Sequence, residues 1–305
     1  MAIPTSRTSV AARIQLDPEH CNGCGLCVSV CKDFALRLEQ GHVALSGNPI
    51  FGCIGCGHCM AICPHGAIAI SGRTLSPDDL FALPPRETAT TYAPLLALLQ
   101  RRRSIREFQD RPVAPELIAQ ILDAARTAPM GIPPSDVQVL VFDSRAKLDA
   151  FARDFCDYLE GMRWLVSEWT LRLLRPFWGK ANDALFRGFV RPLIALYTSQ
   201  MDAGVNLVTY EAPAALYFYG TDYCDPADPI VAATYAMLAA ESLGLGTCML
   251  GGIHPLIQSG RKARAFRAAH GIRSASREGL FVILGHPRVR YSQGVRRTFA
   301  AVDRA

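Results

Sequence analysis

The sequence predicts an α+β chain in two parts, a small cysteine-rich N-terminal domain and a larger domain of mixed helix and strand. Three observations predict it. A C-x2-C-x2-C-x3-C run occurs twice, at Cys21, Cys24, Cys27 and Cys31 and again at Cys53, Cys56, Cys59 and Cys63. A proline-rich stretch with Pro77, Pro84 and Pro85 follows. Beyond it, apolar segments of strand length alternate with helical periods. The 305 residues, 50% of them hydrophobic, suffice for about two domains and one sizeable core.

In each cysteine run, two-residue gaps let three thiols converge from one tight loop onto a cubic cluster, and Gly23, Gly25, Gly55 and Gly57 let backbone approach the sulfides. Structural zinc more commonly takes separated pairs of ligands, and disulfide frameworks belong to secreted chains. The opening "MAIPTSRTSVAARIQL" has no apolar stretch of the length a secretory signal needs. Residues 12 to 75 resemble a bacterial two-cluster ferredoxin, including the proline after Cys63. The resemblance implies that the fourth cysteine of each run crosses over. Cys21, Cys24, Cys27 and Cys63 would hold one [4Fe-4S] cluster, and Cys53, Cys56, Cys59 and Cys31 the other. Lys32 stands where that pattern has a second proline. Cys156, Cys224 and Cys248 lie outside the repeat and read as small buried apolar residues.

The stretch 76 to 93 reads as a semi-rigid linker. After it, "LLALLQRRRS" predicts an apolar helix ending in arginines. A basic run at a helix end is favourable to the helix dipole alone, but Arg102, Arg103, Ser104 and Arg106 also have the chemistry of a phosphate clamp. Further on, "ELIAQILDAARTAP" and "IVAATYAMLAAESLG" read as helices, the second with a glycine cap, and "VQVLVFD", "AALYFYG" and "GLFVILG" as strands.

In this order, "RRSIREF", "ELIAQILDAARTAP", "ESLGLGTCMLGGI", "LFVILGHP" and a late "VRR" resemble the FMN-dependent nitroreductase family over residues 94 to 305. The resemblance implies a nitroreductase-like α+β domain, an antiparallel-dominated sheet wrapped by helices, in an intertwined homodimer with FMN at the subunit interface. It assigns Arg102, Arg103, Ser104 and Arg106 to the FMN phosphate and ribityl chain, with Arg296 and Arg297 closing on the same phosphate. It sets Gly251 and Gly252 beside the flavin ring. Pro129, Met130 and Gly131 open the segment expected on the ring as well, and here the chain departs from the family. Where the family has an asparagine followed by Gln-Pro-Trp, this chain has "APMGIPPSDVQ". Pro133 and Pro134 offer no side-chain hydrogen bond, and Ser135 or Asp136 is the candidate replacement.

Residues 155 to 205 carry all three tryptophans, Trp164, Trp169 and Trp178, among arginines, in helical periods interrupted at Pro176 and Pro192. They read as a helical insert that packs on its own domain or a dimer mate. A lid over the flavin, a cover for a lipid-like or quinone substrate and a peripheral membrane contact are its functional alternatives.

The expected function is an oxidoreductase passing single electrons through two clusters to FMN, which then reduces an electron-poor molecule such as a nitroaromatic, quinone or activated alkene. An external ferredoxin or NAD(P)H would be the donor, and no G-x-G-x-x-G follows a strand. A dehydrogenase running electrons outward and a non-enzymatic electron-transfer subunit are the alternatives. No catalytic acid or base is assigned, and His254, a lone histidine before Pro255, reads as structural. A net charge of +5 with dispersed arginines gives nucleic acid little purchase, and no apolar run has membrane-spanning length. A soluble cytoplasmic protein is the expectation.

Overall fold

The structure, a computed structural model, describes residues 11–50, 52–131, 135–221 and 223–304, without the side chain of Trp178. The Pro133–Pro134 departure lies outside the described residues. Strand β1 (Arg13–Leu16) pairs antiparallel with β4 (Ile68–Ser71), and β2 (Leu36–Glu39) pairs with β3 (His42–Leu45). The short helices α1 (Leu26–Val30) and α2 (His58–Ile62) follow the first two cysteines of each run and carry the third, Cys27 or Cys59. Leu36, Val43, Met60, Ile68 and Ile70 form a small core with Cys27 and Cys59. So few apolar residues make a marginal core, the case in which metal binding contributes directly to folding.

Residues 77–91 run exposed through two single 3-10 turns, at Pro77–Asp79 and Arg86–Thr88. Helix α3 (Tyr92–Arg101) then starts just inside the stretch expected as linker and buries none of its residues, although Leu95 and Leu99 are apolar.

The larger part is built on a four-stranded sheet of order β5 (Gln138–Phe142), β6 (Ala214–Tyr219), β8 (Gly279–Gly285), β7 (Gly246–Leu250), every neighbouring pair antiparallel. Both central strands, β6 and β8, are buried along their whole length. Strand side chains alternate between faces, so each strand supplies two cores. Tyr217, Tyr219, Phe281 and Ile283 face one core, with Phe151 and Phe155 of α5 (Arg145–Glu160) and Phe266 of α10 (Arg261–Ala269). Leu216, Phe218, Leu280, Val282 and Leu284 face the other, under α4 (Pro115–Ala125) and α8 (Ala227–Ser242). Alanines at 232, 233, 236 and 240 let α8 lie close on the sheet, and Gly244, with φ 76°, terminates it as the sequence suggested.

Phe281 is fully buried and stacks on Tyr217 with ring centroids 4.0 Å apart. Phe281→Ala should cost about 3–5 kcal/mol, read as a lowered urea midpoint with the slope unchanged.

The 155–205 stretch differs from its sequence reading in two ways. Phe155, Cys156 and Leu159 complete the core face of α5. Pro176 does not end a helix: α6 (Glu168–Leu185) passes through it and breaks its geometry at Gly179, with φ 80° and ψ 172°. Pro192 likewise does not separate two helices: it lies in the first turn of α7 (Arg191–Asp202), whose preceding residue Val190 is itself helical. A π-helical turn, Phe186–Val190, joins α6 to α7. Trp169, Leu173 and Phe177 form an exposed stripe along α6. None of the described helices is long and apolar enough to cross a membrane.

Candidate functional site

Each cysteine run enters its helix through a glycine in the left-handed region, Gly25 (φ 74°) or Gly57 (φ 74°), which turns the third cysteine inward. Cys27 and Cys59 are accordingly buried, and Cys24 and Cys56 are exposed. Burial pushes the Cys27 thiol up, and Cys63 and Cys24 are close enough to push it further. Cys59 is pushed up to about 12, first by burial and then by Cys53, Cys56 and Cys31. These neighbours join the fourth cysteine of each run to the first three of the other, the crossed arrangement that the ferredoxin resemblance implies. A cavity of about 20 Å³ is rimmed by Cys21, Cys24, Cys27 and Cys63. Backbone amides already point at two of these sulfurs: Val43 N–H donates to Cys21 Sγ at 3.4 Å and Ala67 N–H to Cys63 Sγ at 3.3 Å. Among the described residues no three ligand-type side chains converge on a single-ion position. Four thiolates with inward amides fit a polynuclear iron–sulfur cluster, which would displace the thiol protons on binding.

The phosphate-clamp candidates are set by β7. Ile105 N–H donates to the Thr247 carbonyl at 2.9 Å, and Ser104 makes a parallel bridge to Thr247. Residues 104–105 thus extend the sheet by one short rung beyond its edge strand. Arg102 caps α3, its N–H donating to the Leu98 carbonyl at 3.2 Å, and Arg103 Nη1 donates to the Arg102 carbonyl at 2.8 Å. The Arg106 guanidinium lies 5.5 Å from the Tyr210 ring centroid. Tyr210 and Glu211 both have positive φ (52° and 53°), a strained pair shortly before β6. Tyr210 stands in no motif, and Thr247, although inside "ESLGLGTCMLGGI", has nothing in its local sequence to show that it meets Ser104.

The C-terminal segment returns to this group. A Cβ on Gly294 would collide with the Arg103 guanidinium, so the chain crosses that side chain two residues before Arg296 and Arg297, which are both exposed. Gly251 and Gly252 follow the far end of β7, Gly251 exposed with open space around it and Gly252 capping α9 (Ile253–Leu256). His254 in α9 is buried, and its Nδ1 lies 2.9 Å from the Tyr217 hydroxyl and 3.1 Å from Gln258 Nε2. This network anchors α9 directly behind the two glycines. Burial lowers the His254 pKa and keeps the ring neutral, which agrees with the structural role read from the sequence.

Pro129, Met130 and Gly131 lie elsewhere. Pro129 and Met130 line a cavity of about 340 Å³ with Phe218 and with Val139 of β5, and Gly131 N–H donates to Asp228 Oδ1 at 3.0 Å. Ser104 lies on the outer side of β7, and β5 is the opposite edge of the sheet, about three strand spacings or ~14 Å from β7 itself. One chain therefore presents the two groups of predicted flavin contacts at opposite edges.

Gly246 lets residue 105 approach β7, because a Cβ there would lie 2.7 Å from Ile105 Cγ1 and 2.8 Å from Ile105 Cβ. Gly246→Val should push the Ser104 rung off β7, weakening FMN binding by roughly tenfold or more while iron content stays unchanged. A flavin titration beside an iron assay checks this.

Residues 99–286 match the family model described as the nitroreductase family. The chain belongs to the nitroreductase family. Residues 20–68 match the model of a 4Fe-4S dicluster domain, which spans all eight cysteines of the repeat. An N-terminal ferredoxin-type domain and a nitroreductase-like α+β domain are thus both present, as the sequence predicts. Among solved structures, a nitroreductase with bound FMN from Bacteroides fragilis is 16% identical, with a TM-score of 0.52 over 71% of this chain and 100% of its own. Another nitroreductase with bound FMN, from Desulfitobacterium hafniense, is 22% identical, with a TM-score of 0.48 over 68% of this chain and 97% of its own. The Bacteroides likeness supports the nitroreductase fold for the larger domain. Among curated proteins, none matches the sequence.

Proposed function

We propose that this nitroreductase-family protein is an FMN-dependent oxidoreductase that draws single electrons through two [4Fe-4S] clusters and reduces an electron-poor small molecule by two electrons. The observation that carries the reading is the fusion, in one chain, of a crossed eight-cysteine domain with a nitroreductase domain whose arginine-rich segment is fixed to β7. When bound, the clusters supply one-electron transfer and FMN supplies two-electron chemistry. Cys21, Cys24, Cys27 and Cys63 would hold one cluster, and Cys53, Cys56, Cys59 and Cys31 the other. Arg102, Arg103, Ser104 and Arg106 would hold the FMN phosphate and ribityl chain, with Arg296 and Arg297 brought over them by the segment crossing Arg103. The donor chemistry fits, since guanidinium pairs bidentately with phosphate oxygens.

The separation of the two contact groups favours a homodimer in which each flavin lies between subunits. The β7 side of one subunit would hold the phosphate, and the Pro129–Gly131 segment of the other would cover the ring. Nitroaromatics, quinones and activated alkenes are the substrate class, and a ferredoxin-type protein or NAD(P)H is the donor.

Anaerobically purified protein should carry FMN near one per chain together with iron and sulfide, and should sediment as a dimer. Iron and sulfide without stoichiometric FMN would overturn the reading in favour of an electron-transfer subunit.

A further inference from the structure

Helix α6 has an inward face that the fold uses and an outward face that it does not. Thr170 and Leu171 are buried, Leu171 completely. A helix packed on one side ordinarily presents polar residues on the other. Here the other side carries Trp169, Leu173 and Phe177, spaced four residues apart and therefore on one face, with 72%, 55% and 84% of their surface exposed. The helix is regular across all three and breaks only at Gly179. The turns before and after α6 add Trp164 and Phe189, both also exposed. Large apolar side chains grouped at the surface and rimmed by polar ones mark an interaction site.

The charge around this stripe is one-sided. Residues 161–195 hold six basic residues, Arg163, Arg172, Arg175, Lys180, Arg187 and Arg191, against two acidic ones, Glu168 and Asp183. Both carboxylates are already engaged. Glu168 pairs with Arg187 at 2.6 Å, Arg191 at 3.1 Å and Arg172 at 3.2 Å. Asp183 pairs with Arg187 at 2.9 Å and more loosely with Arg175 at 3.9 Å. Four guanidiniums thus share two carboxylates and leave positive charge in excess, and the same pairs tie α6 to the π-helical turn and to α7. By the helical period, Arg172 and Arg175, both largely exposed, lie along one flank of the stripe.

We propose that the outward face of α6 docks on the surface of an anionic lipid bilayer. Trp169, Leu173 and Phe177 enter the headgroup region, and Arg172 and Arg175 meet lipid phosphates beside them. A helix with aromatic and leucine residues on one face and arginines along its flank lies in the plane of such an interface. It lies on the bilayer without spanning it, since none of the described helices is long and apolar enough to cross. A second copy meeting this face through the same patch would bring the surplus guanidiniums together, whereas an anionic surface is complementary to them. The assignment stands independently of the clusters and the flavin.

The test is flotation of the full chain, purified anaerobically, with vesicles of phosphatidylcholine and phosphatidylglycerol in equal parts and with vesicles of phosphatidylcholine alone. The wild type should float with the anionic vesicles, bind the neutral ones roughly tenfold more weakly, and be released by high salt. Trp169→Gln combined with Phe177→Gln should abolish flotation, with unchanged circular dichroism as the check on folding. Leu173→Asp, at the centre of the stripe, should do the same and decides the outcome if the double variant misfolds. A wild type that stays below the vesicles would overturn the proposal. So would variants that float as the wild type does, or neutral vesicles bound as tightly as anionic ones. A wild type that stays below, beside stripe variants that fall from dimer to monomer in sedimentation, would assign the face to a second copy of the chain and equally overturn it.

Discussion

Cys63→Ala is expected to damage the first cluster, not the one built by its own sequence run. Cys63 acts on Cys27, whereas Cys59 senses Cys53, Cys56 and Cys31. Loss of the Cys63 thiolate removes one corner of the set completed by Cys21, Cys24 and Cys27. That cluster should be lost or left in a three-iron form, and the other should keep its signal. Cys24→Ala should therefore give the same surviving paramagnetic spectrum as Cys63→Ala, and Cys31→Ala the same as Cys56→Ala. If Cys63→Ala instead matched Cys56→Ala, the clusters would be built run by run and the crossed arrangement would be wrong. The effect is large because a cubic cluster has one thiolate per iron and these small domains draw folding energy from the metal.

Removing Arg102 or Arg106 should weaken FMN binding by about 10- to 100-fold each, the equivalent of one hydrogen bond to a charged group at roughly 1.5–3 kcal/mol. The sharper signature is selectivity. Riboflavin lacks the phosphate, so its affinity should change little, and the preference for FMN over riboflavin should collapse in both variants. Arg102 is half-buried at the end of α3, and its backbone is already tied to Leu98, so truncating its side chain leaves the cap in place. Parallel flavin titrations of wild type and variants measure the ratio. Equal losses for FMN and riboflavin would move these arginines away from the phosphate.

The cluster site was legible in sequence because its ligands come from two local loops with fixed spacing, and the glycines that turn those loops stand beside the cysteines. The strands 138–142, 214–219 and 279–285 were legible as apolar runs. Their order was not, because β8, last in the chain, inserts between β6 and β7, and pairing across such distances leaves no local pattern. For the same reason Thr247 and Tyr210 went unread: each meets its arginine-segment partner only through the folded sheet. Pro176 shows the opposite error, a strong local signal overruled, since α6 continues through the proline and yields three residues later at Gly179.

In the proposed function, electrons held by the cysteine domain reach a flavin bound by the nitroreductase domain. The direct measurement is rapid mixing of anaerobic protein with a reduced one-electron donor of the ferredoxin type, following the flavin absorbance in the wild type and in Cys63→Ala and Cys31→Ala variants that retain full FMN. Flavin reduction in the wild type should follow cluster reduction, and loss of either cluster should slow it at least tenfold while the flavin stays chemically reducible by dithionite. Flavin reduction by the same donor at an undiminished rate in both variants would contradict it.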